Sequence, residues 1–119
     1  MKFYLIVSTV KPDYTDNIVD AAKEAGAPGA TIIPARGVGV KEAKTFFGLA
    51  LEAQSDVLLF LLTERLVEPV LEAINRAGEF QKPGTGIAFV LPVDRAIGLE
   101  SQMDRFRHIE EAKSLPSQQ

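Results

Sequence analysis

Apolar side chains recur along this chain at two spacings, one typical of strands and one typical of helices. Runs rich in β-branched, aromatic and other apolar residues predict four strands, at residues 2–10, 30–35, 55–63 and 87–91. Apolar residues three or four positions apart predict two helices, one between Pro12 and Gly26 and one over residues 64–77. The pattern therefore gives the order β-α-β-β-α-β.

The helix ends carry their own signals. Asp13 or Thr15 is expected to cap the first helix, because both side chains can accept a hydrogen bond from a free backbone N–H group. Gly26 and Gly78 are expected to end the two helices, as glycine does when it follows the last turn. Pro69 is placed in the first turn of the second helix, where a missing N–H group costs nothing.

This order predicts an α+β, ferredoxin-like fold, a four-stranded antiparallel sheet with both helices on one face. The first and third strands are apolar on both sides, so the second sheet face also needs cover. In a chain of 119 residues we expect that cover to be another subunit, packed sheet against sheet. Residues 1–100 form the domain, and residues 101–119 form a polar C-terminal tail that frays or docks loosely. Residues 41–51 are expected to form one or two helical turns, and residues 93–99 a short strand or turn.

Composition removes several classes of function. The chain has no cysteine, which excludes disulfides, thiolate metal sites and cysteine nucleophiles, and its one histidine is His108, in the tail. We therefore expect neither a metal site nor a serine–histidine–aspartate set, and the carboxylates fall on the polar helix faces. A formal charge of −3 argues against a general nucleic-acid surface. No apolar run approaches the ~18 residues of a membrane span, and the N-terminus resembles a strand more than a signal peptide, so we expect a cytoplasmic protein.

Two glycine pairs are candidates for binding an anion. Arg36 and the sequence Gly37-Val38-Gly39 leave the second strand, and Gly84 and Gly86 enter the last one. Glycines let a backbone approach a phosphate closely, and their N–H groups can line an anion site. Each pair alone is equally consistent with a plain turn. Two such loops with basic residues nearby favour a phosphate or nucleotide cleft, formed within one chain or across subunits.

Two further clusters have an ordinary and a functional interpretation. Phe46 and Phe47 follow Lys44 in the long loop; they either pack against the sheet or anchor a partner protein, since aromatic residues dominate binding hot spots. Arg105, Arg107 and His108 form a basic cluster that is either solvated or reaches a neighbouring phosphate.

Five stretches together resemble the P-II signal-transduction proteins. They are VKP after the first strand, GAPGATII, ARGVG, VEPVLEAINRAG and PGTGIAFVLPVDRAI. The resemblance covers residues 1–100. It implies a homotrimer of ferredoxin-like subunits, with no enzymatic activity and no tightly bound cofactor.

The same resemblance implies a function in signalling, including nitrogen regulation. Adenine nucleotides such as ATP, ADP or AMP would bind between subunits, and a long T-loop, here residues 37–54, would act on a transporter, enzyme or regulator. By position, Gly37, Val38 and Gly39 resemble the T-loop base. Thr31 resembles a threonine near that base, and the turn Gly84-Thr85-Gly86 resembles the B-loop.

The chain departs from the P-II pattern at three cationic positions. Ile87 stands where the B-loop lysine is expected, and Gly98 and Glu100 where two arginines are expected. Each charged contact of this kind is worth about 1.5–3 kcal/mol. Either other basic residues replace them, with Lys82, Arg36, Lys41 and Arg105 as candidates, or the ligand carries fewer phosphates than a triphosphate.

The loop of residues 37–54 is also shorter than in nitrogen-sensing members and holds no tyrosine, since Tyr4 and Tyr14 lie elsewhere. The tyrosine modification of the family is therefore not expected here. An alternative is a trimeric interaction module of the CutA type, without nucleotide sensing. An enzyme of this fold is a third possibility, which the lack of a catalytic set disfavours.

Overall fold

A computed structural model describes residues 2–37, 45–46, 49–50 and 54–99, with Thr45–Phe46 and Leu49–Ala50 described in backbone only. Eight elements follow one another in this part of the chain. They are β1 (Phe3–Val10), α1 (Pro12–Glu24), β2 (Thr31–Arg36), β3 (Thr45–Phe46), β4 (Leu49–Ala50), β5 (Gln54–Thr63), α2 (Glu64–Ala77) and β6 (Gly86–Pro92). The six predicted elements are all present, and α2 has the predicted bounds.

The four long strands form one sheet in the order β2-β5-β1-β6, and every neighbouring pair is antiparallel. This is the ferredoxin-like arrangement that the sequence predicts. The first and third long strands lie in the centre, and β2 and β6 form the two edges. β5 and β1 therefore each have a neighbouring strand on both sides.

Both helices pack against one sheet face. Alternate residues of the central strands reach this face, and Ile6, Leu58 and Phe60 have no exposed surface. The core cluster joins them to apolar residues from one side of each helix, namely Ile18 and Ala22 from α1 and Leu66, Val67, Val70 and Ile74 from α2. Helical periodicity thus predicts the helix side of the core.

The opposite sheet face is also apolar, as the sequence predicts. Strand register places Leu5 and Val7 of β1 opposite Leu61 and Leu59 of β5, and the same two residues opposite Leu91 and Phe89 of β6. Phe89 and Leu91 are 42% and 45% exposed in the protomer. We call this surface the open face; it comprises alternate residues of all four strands.

Within residues 41–51, where the sequence predicts helical turns, the four described residues form strands instead. Thr45–Phe46 and Leu49–Ala50 pair as two short antiparallel strands, with Phe46 opposite Leu49. Thr45 is β-branched and Phe46 is aromatic, and both kinds of residue favour extended backbone. The rest of the predicted segment lies outside the described residues. At the other end of the sheet, residues 93–99 form neither strand nor helix, and Ile97 and Gly98 lie in a bend.

The first helix begins differently from the prediction. Lys11 occupies the N-cap position without a side-chain hydrogen bond, and Pro12 begins the helix. Asp13 lies inside the first turn, and the Thr15 hydroxyl donates to the Asp56 carboxylate at 2.6 Å. Thr15 therefore fastens α1 to the start of β5 instead of capping its own helix. Gly26 has φ 122°, as the C′ prediction requires.

The second helix ends at Ala77, as predicted, but Gly78 does not take the left-handed conformation expected of a closing glycine. Gly78 is the C-cap with φ −84°, and the left-handed residue is Glu79, with φ 53°. Pro69 is an interior residue, not one of the first turn. Its missing N–H group leaves the Arg65 carbonyl without its helical donor.

Candidate functional site

The two glycine loops lie at the same end of the sheet. Arg36 at the end of β2 pairs with Gln54, and Gly86 at the start of β6 pairs with Val10, which in turn pairs with Asp56. The loops leave opposite edge strands, however. Three strand spacings of about 4.8 Å separate those edges, roughly 14 Å in all. Gly37 and the Gly84–Gly86 turn of one protomer therefore cannot close around one phosphate group.

The turn before β6, residues 79–86, is held by its own hydrogen bonds. The Thr85 hydroxyl lies within hydrogen-bond distance of two carbonyl oxygens, at 2.9 Å from that of Glu79 and 3.0 Å from that of Lys82. Thr85 is buried, and its carbonyl accepts from the N–H group of Lys11 at 3.4 Å. The Thr85 side chain therefore shapes the turn from inside.

Glycine at position 86 is required by close packing. A Cβ atom there would lie 2.7 Å from the Thr9 carbonyl oxygen and 2.8 Å from the Phe80 ring. Gly84 has φ 82°, a left-handed conformation that a side chain disfavours. The two glycines thus fix the path of the turn, whether or not an anion binds to it.

One of the candidate cations, Lys82, forms an ion pair. The Lys82 ammonium lies 2.5 Å from the Glu79 carboxylate. A hydrogen bond from Lys82, and then its positive charge, lowers the pKa of Glu79; Tyr14 adds a weaker hydrogen bond. The hydrogen bond to Glu79 and its negative charge raise the pKa of Lys82. In this structure the Lys82 ammonium is therefore engaged by a carboxylate of its own turn.

Among the described residues, two other cations lie at this end of the sheet. Arg36 is exposed at the end of β2, beside Gly37. Lys11 is exposed directly after β1, and its backbone contacts the turn at Thr85. Sequence reasoning missed Lys11. The signal was the antiparallel pairing of the first and last strands, which places the residue after Val10 beside the residue before Gly86.

Thr31 lies away from both loops within the protomer. It begins β2 on the open face, opposite Leu59, and is exposed. Five residues of extended chain, about 17 Å, separate it from Arg36. A single phosphate group therefore cannot contact both Thr31 and Arg36 of one protomer.

The remaining predicted site residues lie outside what can be described. Val38, Gly39, Lys41, Lys44 and Phe47 fall outside the described residues, and of Phe46 only the backbone pairing is described. The basic cluster at residues 105–108 is likewise outside them.

Two classes of site find no support in the described part of the chain. Within residues 2–37 and 54–99, no group of three histidine, aspartate or glutamate side chains is placed to hold a metal ion. Among the helices of the described chain, none has the length and apolar character of a membrane span.

Residues 3–102 match the family model described as nitrogen regulatory protein P-II. The chain belongs to the P-II family. The P-II protein of Azospirillum brasilense is 29% identical over 101 residues, which cover 81% of this chain and 90% of that protein. Nitrogen regulatory protein GlnK2 of Haloferax mediterranei is 31% identical over 98 residues, covering 78% of this chain and 80% of that protein.

A solved P-II structure also matches the fold. The crystal structure of Arabidopsis thaliana PII bound to citrate superposes with a TM-score of 0.62 at 26% identity, covering 77% of this chain and 78% of the other. The resemblance and the ferredoxin-like architecture that the sequence predicts are thereby confirmed.

The structure adds physical detail to the departures of this P-II protein. Ile87 lies on the open face, because it pairs with Thr9. Gly98 has φ 91°, so an arginine at that position would carry backbone strain even though the surrounding space is open. The loss of a cation at position 98 is therefore accompanied by a backbone conformation that favours glycine. Glu100 lies outside the described residues.

Proposed function

We propose that this P-II protein is a non-enzymatic, trimeric regulator of the cytoplasm. It binds an adenine nucleotide or a similar small anion in clefts between subunits. Occupancy changes the conformation of residues 37–54, and that loop acts on a partner protein, which is a transporter, an enzyme or another regulator. Lys44, Phe46 and Phe47 are the proposed contact residues for the partner.

One observation carries the proposal. The two glycine loops lie at the same end of the sheet but on opposite edges, so joint contact with one phosphate group requires a second protomer. The open face supplies a reason for a second protomer to be there, since Ile33, Phe89 and Leu91 are each more than 40% exposed. Burial of apolar surface is favourable by about 25 cal/mol per Å².

The charges favour a ligand smaller than a triphosphate. Of the described cations at this end, Lys82 is paired with Glu79, while Arg36 and Lys11 are exposed. A diphosphate, a monophosphate or a cyclic nucleotide makes fewer demands on cationic partners. The matched Arabidopsis protein was solved with citrate, so small polycarboxylates belong among the candidates.

Calorimetry on the purified oligomer tests the ligand. ATP, ADP, AMP, a cyclic nucleotide and citrate are titrated separately at one fixed salt concentration. We expect heat with at least one of them, at one site per subunit, and weaker binding in the Arg36→Ala variant. If none of the five ligands gives heat, the nucleotide-binding part of the proposal is wrong. The alternative, an interaction module without ligand sensing, then remains.

The mass of the oligomer in solution tests the assembly independently. Light scattering coupled to size exclusion is expected to give three times the chain mass. A monomer would remove the cleft itself, because the two glycine loops of one protomer cannot meet.

A further inference from the structure

The edge strand β6 is paired with β1 on one side only, and the hydrogen bonds show which of its backbone groups face that side. In an antiparallel ladder, residues whose N–H and C=O groups bond to the neighbouring strand alternate with residues whose groups point away from it. The N–H group of Val93 donates to the Phe3 carbonyl at 3.0 Å. The Ile87 carbonyl also points towards β1, since it accepts from the Ser8 hydroxyl at 3.1 Å. The odd-numbered residues of β6 therefore bond to β1.

The even-numbered residues of β6 face the free edge of the sheet. Ile87, Phe89 and Leu91 pair with β1 in the same register as Val93, so the N–H and C=O groups of Ala88 and Val90 point outward. No strand of the described part of the chain lies on that side of β6. Outward N–H and C=O groups at the edge of a sheet are a template for an added strand.

The opposite edge strand, β2, is blunted. The N–H group of Glu64 donates to the Lys2 carbonyl at 3.2 Å, so the even-numbered residues of β5 bond to β1 and the odd-numbered ones to β2. By register, the even-numbered residues of β2 then face outward, and Pro34 in their middle has no N–H group to donate. In contrast, β6 has neither a proline nor a charged side chain from Gly86 to Leu91. Of the two edges, β6 is therefore the one that accepts a further strand.

A groove borders the free edge of β6 on the helix side of the sheet. It lies between α2 and β6, and its volume is about 590 Å³. Leu71, Phe80 and Ala88 form its apolar floor; all three are half-buried and pack against the core. Directly opposed residues of an antiparallel pair place their side chains on the same face. A residue that pairs with Ala88 in an added strand therefore places its side chain in the groove.

The helix side of the groove is acidic. Glu68 and Glu72 are both exposed on its border. Glu72 pairs with Arg76 at 3.2 Å, whereas Glu68 forms no ion pair in the part of the chain that the structure describes. An apolar floor with a carboxylate beside it is complementary to an apolar side chain that has a cation nearby.

The direction of α2 determines where that cation belongs. Helix α2 begins at the end of the sheet where β6 finishes, because the N–H group of Glu64 bonds to Lys2 at the start of β1. Glu68, one helical turn further on, therefore lies towards the Val90 end of the groove. In a chain that runs antiparallel to β6, the residue opposite Val90 comes two positions before the residue opposite Ala88. A lysine or arginine at that earlier position faces Glu68.

We propose that β6 binds an extended segment of a partner protein as an added antiparallel strand. A large apolar side chain of that segment lies in the groove beside Ala88, and a lysine or arginine two residues earlier lies against Glu68. A second copy of this chain is less complementary, because its β2 edge lacks a donor at Pro34 and its β6 edge brings a second acidic border. The inference does not depend on nucleotide binding at the glycine loops.

A synthetic peptide tests strand addition. The probe is fluorescein-labelled Ser-Lys-Val-Phe-Val-Ser, titrated with the purified protein and followed by fluorescence anisotropy, and we expect saturable binding. N-methylation of the phenylalanine removes the N–H group that bonds to the Ala88 carbonyl, so it should weaken binding about tenfold. N-methylation of the preceding valine, whose N–H group points away from β6, is the matched control and should have little effect. Absence of binding, or the same loss with both methylated peptides, overturns the proposal.

Exchange of charges tests the position of the peptide. Glu68→Lys should weaken binding of the lysine peptide a few-fold, as expected for an exposed ion pair. A peptide with glutamate in place of lysine should bind this variant more tightly than it binds the wild type. Asp20→Lys, which changes an exposed acidic residue of α1 by the same charge, is the control and should alter neither affinity. Equal effects of the two substitutions would contradict binding beside Glu68.

Amide hydrogen exchange distinguishes a partner segment from a second copy. In the free protein, the outward N–H groups of Ala88 and Val90 should exchange rapidly, and the lysine peptide should slow them. The N–H groups of Ile87 and Phe89, which bond to β1, should exchange slowly with or without peptide. Slow exchange of Ala88 and Val90 in the protein without peptide would mean that another copy already occupies the edge, and the proposal would be wrong.

Discussion

The two faces of the sheet are equally apolar in sequence but differ in what covers them. On the helix face, Ile6, Phe60 and Leu62 have no exposed surface. On the open face, Phe89 and Leu91 keep 42% and 45% of theirs. Alternation along a strand tells which residues share a face, whereas cover depends on where the helices lie. The comparison shows that apolar side chains of the open face remain accessible for contacts outside the protomer.

The largest expected effect on stability comes from a substitution on the helix face. Phe60→Ala leaves a cavity in the core and should cost about 3–5 kcal/mol of unfolding free energy. Urea unfolding followed by circular dichroism measures it. Phe89→Ala is the matched change on the open face; its effect should depend more strongly on protein concentration, because the exposed part of the ring acts through assembly. Equal and concentration-independent losses in the two variants would show that the faces do not differ in this way.

A charge on the open face should separate assembly from folding. Phe89→Asp places a carboxylate where the proposed oligomer buries an aromatic ring. An unpaired buried charge costs about 3–5 kcal/mol, so we expect dissociation to folded monomers. Light scattering gives the mass, and circular dichroism checks the fold.

Ile97→Asp is the control for this change, since Ile97 is 98% exposed and lies in a bend outside the sheet. It should leave the mass unchanged. A Phe89→Asp protein that keeps the wild-type mass would mean that the open face is not the subunit interface.

Sequence patterns predict the fold well where many residues carry one signal. The α2 helix has four core residues at helical spacing, and its predicted bounds are those of the structure. The strand order follows from the βαββαβ sequence and the rules of chain connection. Single-residue signals predict less. Asp13 and Thr15 both look like N-caps, yet Thr15 bonds to Asp56, 41 positions away in the chain.

The candidate site is less predictable for the same reason. Lys82 resembles a free cation in sequence, but the left-handed turn at Glu79 brings a carboxylate to it. Thr85 resembles a ligand contact, but its hydroxyl turns inward to two carbonyls. These outcomes depend on the conformation of the turn of residues 79–86, which local propensity leaves open. The roles of Thr31, Gly37 and the other ligand-binding residues stay predictions.

The Glu79–Lys82 ion pair lies at the end of the sheet, outside both faces. Of the helix face, the open face and this ion pair, the ion pair should contribute least to the free energy of unfolding. Because the pKa of Glu79 is lowered on folding, its carboxylate stabilises the folded state at pH values above its ordinary pKa of 4.5. This stabilisation is lost as the pH falls through the pKa of the folded state. Because the pKa of Lys82 is raised on folding, its ammonium stabilises the folded state at pH values below its ordinary pKa of 10.5. This stabilisation is lost as the pH rises through the pKa of the folded state. Lys82→Met should therefore be most destabilising between those two pH values, and the difference from wild type should shrink at both extremes and in high salt.

Urea unfolding across pH measures this, with Lys23→Met as an exposed-lysine control on α1. A Lys82→Met difference that is constant with pH would mean that packing of the lysine stem, not the ion pair, stabilises the turn.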